Sequence, residues 1–159
     1  MTNMNEAIES IKQSIDQMIE TTKSLSEETI RWNPSEEEWS IMQILCHVEE
    51  AIPYWLNEIE RLLESPGTEW GRGLTDENRL AAVANTEKRE VSDVLNKLEN
   101  VKDQVEKVLS KLSEEDLKSE APSRNPRFGT KPMSFIVDHL LVEHASKHYS
   151  QIQRNLSKL

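Results

Sequence analysis

Apolar residues recur at alternating spacings of three and four along most of this chain, a pattern that confines it to amphipathic helices, each with one face to bury. From about Asn5 to Glu28 the stripe is Ile8, Ile11, Ile15, Met18, Thr22 and Leu25, and Asn33-Pro34 then breaks the chain. A second helix opens at Ser40, where Ser40-Ile41-Met42-Gln43 fits a capping box. Its stripe runs through Ile44, Leu45, Val48, Ile52, Trp55, Leu56, Ile59 and Leu62 to about Glu64, and Pro53 inside it predicts a kink. A third helix spans Thr86 to Leu112, with Val91, Val94, Leu98, Val101, Val105 and Val108 inward, and a fourth runs from Pro132 or Met133 to about Leu156. The connection 65–85 is long and holds at most a short helix around Asp76 to Ala84, while 121–132 reads as a loop. No strand pattern interrupts this, and glycine occurs only 4 times, so the expected fold is an all-α four-helix bundle. At 159 residues the expectation is one domain, 1–159.

Two helical hairpins echo each other weakly. Leu25-Ser26-Glu27-Glu28 reads as the end of the first helix and Leu112-Ser113-Glu114-Glu115 as the end of the third, each followed by a proline-containing loop and a histidine-bearing helix.

Charge and composition exclude several classes. The net charge of −10 lies wholly in residues 1–64, which carry 14 acidic and 4 basic side chains. Such a surface repels phosphate backbones, so no nucleic-acid partner is expected. No apolar run approaches the ~18 residues of a membrane span. Met1 to Ser10 shows no basic region followed by an apolar run, and Cys46 has no second cysteine to pair with. Both point to a cytoplasmic protein.

The histidines carry the chemical signal. One, His47, lies in the second helix, and the other three, His139, His144 and His148, lie in the fourth. His144 and His148 are four residues apart on the face that continues Met133, Ile136, Val137, Leu140 and Leu141. They therefore share one inward face and can share a metal ion. One histidine on an apolar face is ordinarily a satisfied core residue; a pair with a third inward candidate favours a divalent metal. His139 is one residue off the Leu140 face, and its turn through Glu143 reads as solvent-facing. Axial level selects among them. His47 is 7 residues past Ser40, and His148 and His144 are 8 and 12 residues before Leu156. At 1.5 Å per residue these are about 10, 12 and 18 Å from the respective helix ends. The levels nearly coincide if the second and fourth helices are antiparallel. The long 65–85 crossover permits that by letting the second and third helices run the same way. The expectation is therefore an up-down-down-up order with His47, His144 and His148 as ligands and His139 outside the site. HExxH, the Glu-x-x-His of di-iron bundles, and glycine-rich phosphate loops are absent. Cys46 points about 100° away from His47 on its helix and reads as a packed thiol.

These residues resemble a known family. Trp39-Ser40-Ile41-Met42-Gln43-Ile44-Leu45-Cys46-His47 is similar to the opening of the second helix in the DinB/YfiT-like superfamily, and the stretch from Leu140 through His144 and His148 to Gln151-Ile152 resembles its fourth. The resemblance implies an up-down-down-up bundle with a three-histidine site for zinc or nickel, carried here by His47, His144 and His148. Members with assigned functions use a low-molecular-weight thiol such as bacillithiol, mycothiol or glutathione, and others look like hydrolases.

The resemblance thus implies a bacillithiol-like S-transferase acting on small electrophiles, since a coordinated thiol is deprotonated. The alternatives are a metal-dependent hydrolase, in which zinc lowers the pKa of water to about 7, a non-catalytic metal- or small-molecule-binding bundle, and a metal-free interaction module. Arg124, Arg127 and Lys131 could attract an anionic thiol, although ordinary loop solubility is the preferred reading because the loop should lie at the far end of the fourth helix from His148. Glu50, Glu143, Tyr149 and Gln151 are candidates to support the ligands. Trp32, Trp55 and Trp70 raise the idea of a homodimer, though such residues more often pack within the chain.

Overall fold

The computed structural model describes residues 3–159; Met1 and Thr2, the first residues of the Met1 to Ser10 stretch that shows no leader pattern in sequence, lie outside the described residues. Asn3 caps α1 (Met4–Lys23), Ser26 caps the short α2 (Glu27–Arg31), and Ser40 with Gln43 completes the expected capping box of α3 (Ile41–Glu64). In the crossover, Asp76 caps α4 (Glu77–Val83), and a 3-10 turn (Thr86–Lys88) leads into α5 (Val91–Leu109). Ser113 caps α6 (Glu114–Lys118), after which strands β1 (Glu120–Pro122) and β2 (Thr130–Pro132) pair antiparallel. The last helix begins as α7 (Met133–Phe135), widens into a π-helical stretch (Ile136–Glu143), and finishes as α8 (His144–Ser157).

Ion pairs report the direction of each long helix. Lys12 meets Glu106 at 3.2 Å, and Asp16, one turn further along α1, meets Lys102, one turn back along α5. Those two helices are antiparallel. Glu49 meets Lys97 and Glu60 meets Lys111, so α3 and α5 are parallel. Asn155 near the end of α8 donates to the Trp39 carbonyl just before α3, so these two run in opposite directions. Exposed pairs of this kind stabilise little, but their order establishes the up-down-down-up bundle. Ile11, Ile15, Met18, Ile44, Leu45, Leu98, Val105, Val137, Leu141 and Ile152 fill its centre.

Several boundaries differ from the sequence reading. Each Leu-Ser-Glu-Glu motif begins a short helix, with Ser26 and Ser113 as N-caps, instead of ending a long one. A serine that accepts from the third backbone N–H opens a helix in a new direction. The third long helix starts at Val91, after Asn85 adopts a left-handed φ of 57°. Pro53 lies within α3, as expected, and the helix continues on both sides of it. The 121–132 loop contains the small β ladder, which the bundle's other connection clasps. Trp70 donates through its indole to the Ala121 carbonyl at 2.8 Å and through its backbone to Pro122, and accepts from Arg124 N–H. Trp70 is wholly buried and Trp55 nearly so, so neither offers a surface for a second subunit.

Candidate metal centre

His47 sits two turns into α3, at a phase fixed by the Ser40 cap, while His144 and His148 occupy the first turns of α8. The antiparallel packing brings all three rings together under Trp39, whose ring centroid lies 5.1 Å from that of His47. The Nε2 atom of His144 is 3.3 Å from that of His47 and 2.8 Å from that of His148. One ligand atom from each residue lies within 4.8 Å of the others, a spacing at which a single ion can reach all three.

Proton bookkeeping tests whether a cation fits. The Nδ1 of His148 is 2.8 Å from Gln151 Oε1. An amide oxygen only accepts, so Nδ1 carries the proton and Nε2 turns a lone pair inward. His144 Nε2 faces two ring nitrogens yet holds at most one proton. Among the described residues His47 Nδ1 is buried with no hydrogen-bond partner; it is the ring nitrogen other than the convergent Nε2, so it carries the proton when Nε2 offers a lone pair. Three convergent imidazole nitrogens that hydrogen bonds alone do not satisfy suit a divalent ion. Tetrahedral zinc, with bonds of about 2.0–2.1 Å, sets its nitrogen ligands roughly 3.3 Å apart. The His47–His144 spacing matches, and the His144–His148 contact has to open by about half an ångström.

The rings are held in the form a metal requires. Burial, reinforced by His148 and His144, pushes His47 down to about 2. Burial and then His148 lower His144 to about 3. Burial also lowers His148, opposed by the hydrogen bond it donates to Gln151. Neutral imidazole is the ligating species. On one side, His47 and His144 border a pocket walled by Trp55, Phe128, Leu140 and three arginines, Arg72, Arg79 and Arg127.

A sequence model of the DinB superfamily matches residues 10–152. The chain belongs to that superfamily. Among solved structures it is similar to YfiT from Bacillus subtilis, described as "a probable metal-dependent hydrolase with an unusual four-helix bundle topology", with a TM-score of 0.83 and 12% identity over 98% of this chain and 86% of that one. It is also similar to the mycothiol-dependent maleylpyruvate isomerase, with a TM-score of 0.68 and 13% identity over 98% of this chain and 68% of that one. At these identities the likeness concerns the fold. No curated protein matches in sequence.

The other candidate residues fall into distinct places in this DinB bundle. His139 bonds to Glu143 at 2.9 Å and is half exposed beside Phe128 and Phe135, apart from the three convergent rings. Gln151 supports His148, whereas Glu50 pairs with Arg72 and Tyr149 meets Thr21. Cys46 is buried with its thiol pushed up by burial, the condition of an inert packed cysteine. Arg127 corrects an expectation. The Trp70 clasp folds the 121–132 loop over the bundle's flank, so Arg127 shares a pocket with His144 instead of standing at a remote end. Arg124 meets Glu58, and Lys131 lies over the Phe135 ring. Arg72 and Arg79 were missed because nothing local marks them; the crossover brings them to the site only once folded. The π-helical turn ending at His144 likewise has no sequence signature, although such turns often accompany functional sites.

Proposed function

We propose that this chain is a single-domain, metal-dependent enzyme in which His47, His144 and His148 hold one zinc or nickel ion and a low-molecular-weight thiol is transferred to a small electrophile. The observation that carries it is the pocket beside His47 and His144. Its wall holds three arginines and no carboxylate among the described residues. A thiol coordinated to a divalent ion loses its proton outright, so it needs no side-chain base. Imidazole donors suit zinc and nickel, and three of them leave a coordination position open. In the transfer a sulfur–carbon bond forms as the bond from that carbon to the leaving group breaks. The leaving group departs with the electron pair, and the thiol proton goes to solvent. Trp39 and Gln151 hold the histidine rings in place, and the apolar wall of Trp55, Phe128 and Leu140 keeps water from the electrophile.

The description of YfiT favours a second reading, metal-dependent hydrolysis. One experiment separates the two. Protein loaded with zinc or nickel is incubated with bacillithiol or cysteine plus chlorodinitrobenzene, and in parallel with p-nitrophenyl acetate alone. Metal-dependent thioether formation above the uncatalysed rate, lost in His144→Ala, supports transfer. Ester cleavage without thioether formation supports hydrolysis, and neither activity removes both.

A further inference from the structure

The three arginines beside the histidines are not equivalent. Arg72 is fully engaged: it meets Glu50 at 2.7 Å and Asp76 at 3.3 Å, and its guanidinium stacks 3.9 Å above the Tyr54 ring. Arg79 donates one N–H to the Leu74 carbonyl at 3.1 Å, and no carboxylate lies within ion-pair distance of it among the described residues. The nearby acids, Glu50 and Asp76, are both committed to Arg72. Arg79 is half-buried, and burial together with neighbouring Arg72 weakens its hold on its proton. Glu50 and Asp76 together balance Arg72 and Arg79 in charge, so the surplus positive charge at this pocket is that of Arg127, while Arg79 keeps a guanidinium with no carboxylate bonded to it among the described residues. Arg127 reaches the same pocket from the opposite loop, with its guanidinium 5.7 Å from the Phe128 ring and no ion pair among the described residues.

We infer that the pocket binds a small organic anion, its carboxylate held by Arg79 and Arg127 and its short apolar chain lying on Trp55, Phe128 and Leu140. A guanidinium fork matches a carboxylate in a way a point charge does not. The pocket volume of about 120 Å³ limits the chain to a few carbons. His47 and His144 form one border, so the chain of a bound anion is delivered to the histidine centre. This assignment of substrate class rests on the proposed role of the histidines only for its catalytic meaning; binding itself does not need the metal.

The test uses the full chain without metal, titrated with butyrate and, separately, with n-butanol, and followed by NMR of the Trp55 indole and the histidine rings. Butyrate shifts these signals saturably, n-butanol does not, and Arg79→Gln and Arg127→Gln each weaken butyrate binding about tenfold or more. Arg79→Lys restores only part of the loss. Arg154→Gln, which removes a cation near His148 on another face, leaves binding unchanged. Equal binding of butanol, unaltered butyrate binding in both glutamine variants, or no saturable shift overturns the inference. Because Arg127 stands on an exposed loop, its variant decides the matter if Arg79→Gln disturbs α4. Butyrate binding without any metal uptake or turnover would remove the enzymatic proposal and leave the anion site standing.

Discussion

Replacing Glu58 with alanine tests whether one buried carboxylate ties the crossover to the bundle. Glu58 accepts from Gly71 N–H at 2.7 Å and from Arg61 at 3.0 and 3.2 Å, with Tyr54 and Arg124 at 3.4 Å. Its side chain is only 9% exposed. Alanine leaves the buried Gly71 N–H unsatisfied, a cost of about 1–3 kcal/mol. Loss of the Arg61 pair adds about 1 kcal/mol, kept small because Arg61 retains access to water. The total is roughly 3 kcal/mol, which for a chain of this size lowers Tm by about 6–12 °C. The effect also depends on pH. Burial raises the Glu58 carboxyl, but the Arg61 hydrogen bond and the Gly71 N–H outweigh it and hold the group below its ordinary value of 4.5. A folded pKa below the unfolded one gives stability that is present above the unfolded value and lost as pH falls through the folded one. The gap between wild type and Glu58→Ala in urea melts followed by circular dichroism is therefore full at pH 7 and narrows below about pH 4.5. A loss under about 0.5 kcal/mol, or a gap as wide in acid as at neutrality, would refute the clamp.

Gly71→Ala should destabilise by about 1–2 kcal/mol, because φ is +86° and the added Cβ meets the Trp55 ring at 3.4 Å; a thermal melt reads it. Trp70→Ala should cost about 3–5 kcal/mol and expose both connections to limited proteolysis first, since this buried indole joins them. Metal-free protein should lose stability in mild acid. His47 and His144 are lowered from 6.5 to about 2 and about 3 in the fold, so the unfolded chain takes up protons first. Their contribution is full above pH 6.5 and declines below it, by about 2 kcal/mol between pH 7 and 5.5. Urea denaturation that is unchanged over that range, or whose change is undiminished in a His47→Ala, His144→Ala double variant, contradicts it, since His148, also lowered by burial, retains only its own share.

The sequence made the bundle legible because its stripes are long and the helix starts are chemically marked. Ser40 with Gln43 set the phase of α3, and that phase placed His47 inward. The antiparallel relation of α3 and α8 followed from axial levels and a long crossover, and Asn155 bonded to the Trp39 carbonyl bears it out. The clustering of His144 with His47 was legible for the same reason. What escaped was everything created by contacts between the two connections. The sequence allows Trp70 to pack within the chain but does not say against what, and its bonds to Ala121 and Pro122 assemble the wall that carries Arg79 and Arg127. Leu-Ser-Glu-Glu was misjudged at both sites, since the motif holds an N-cap serine as well as helix-forming glutamates, and only the turn before it decides which wins.

Elemental analysis of purified, untagged protein, after incubation with zinc or nickel and removal of free ion, tests the central claim most directly. The account predicts about one divalent ion per chain, lost in His47→Ala, His144→Ala and His148→Ala and kept in His139→Ala. An absence of bound ion, or equal loss from His139→Ala, would contradict it.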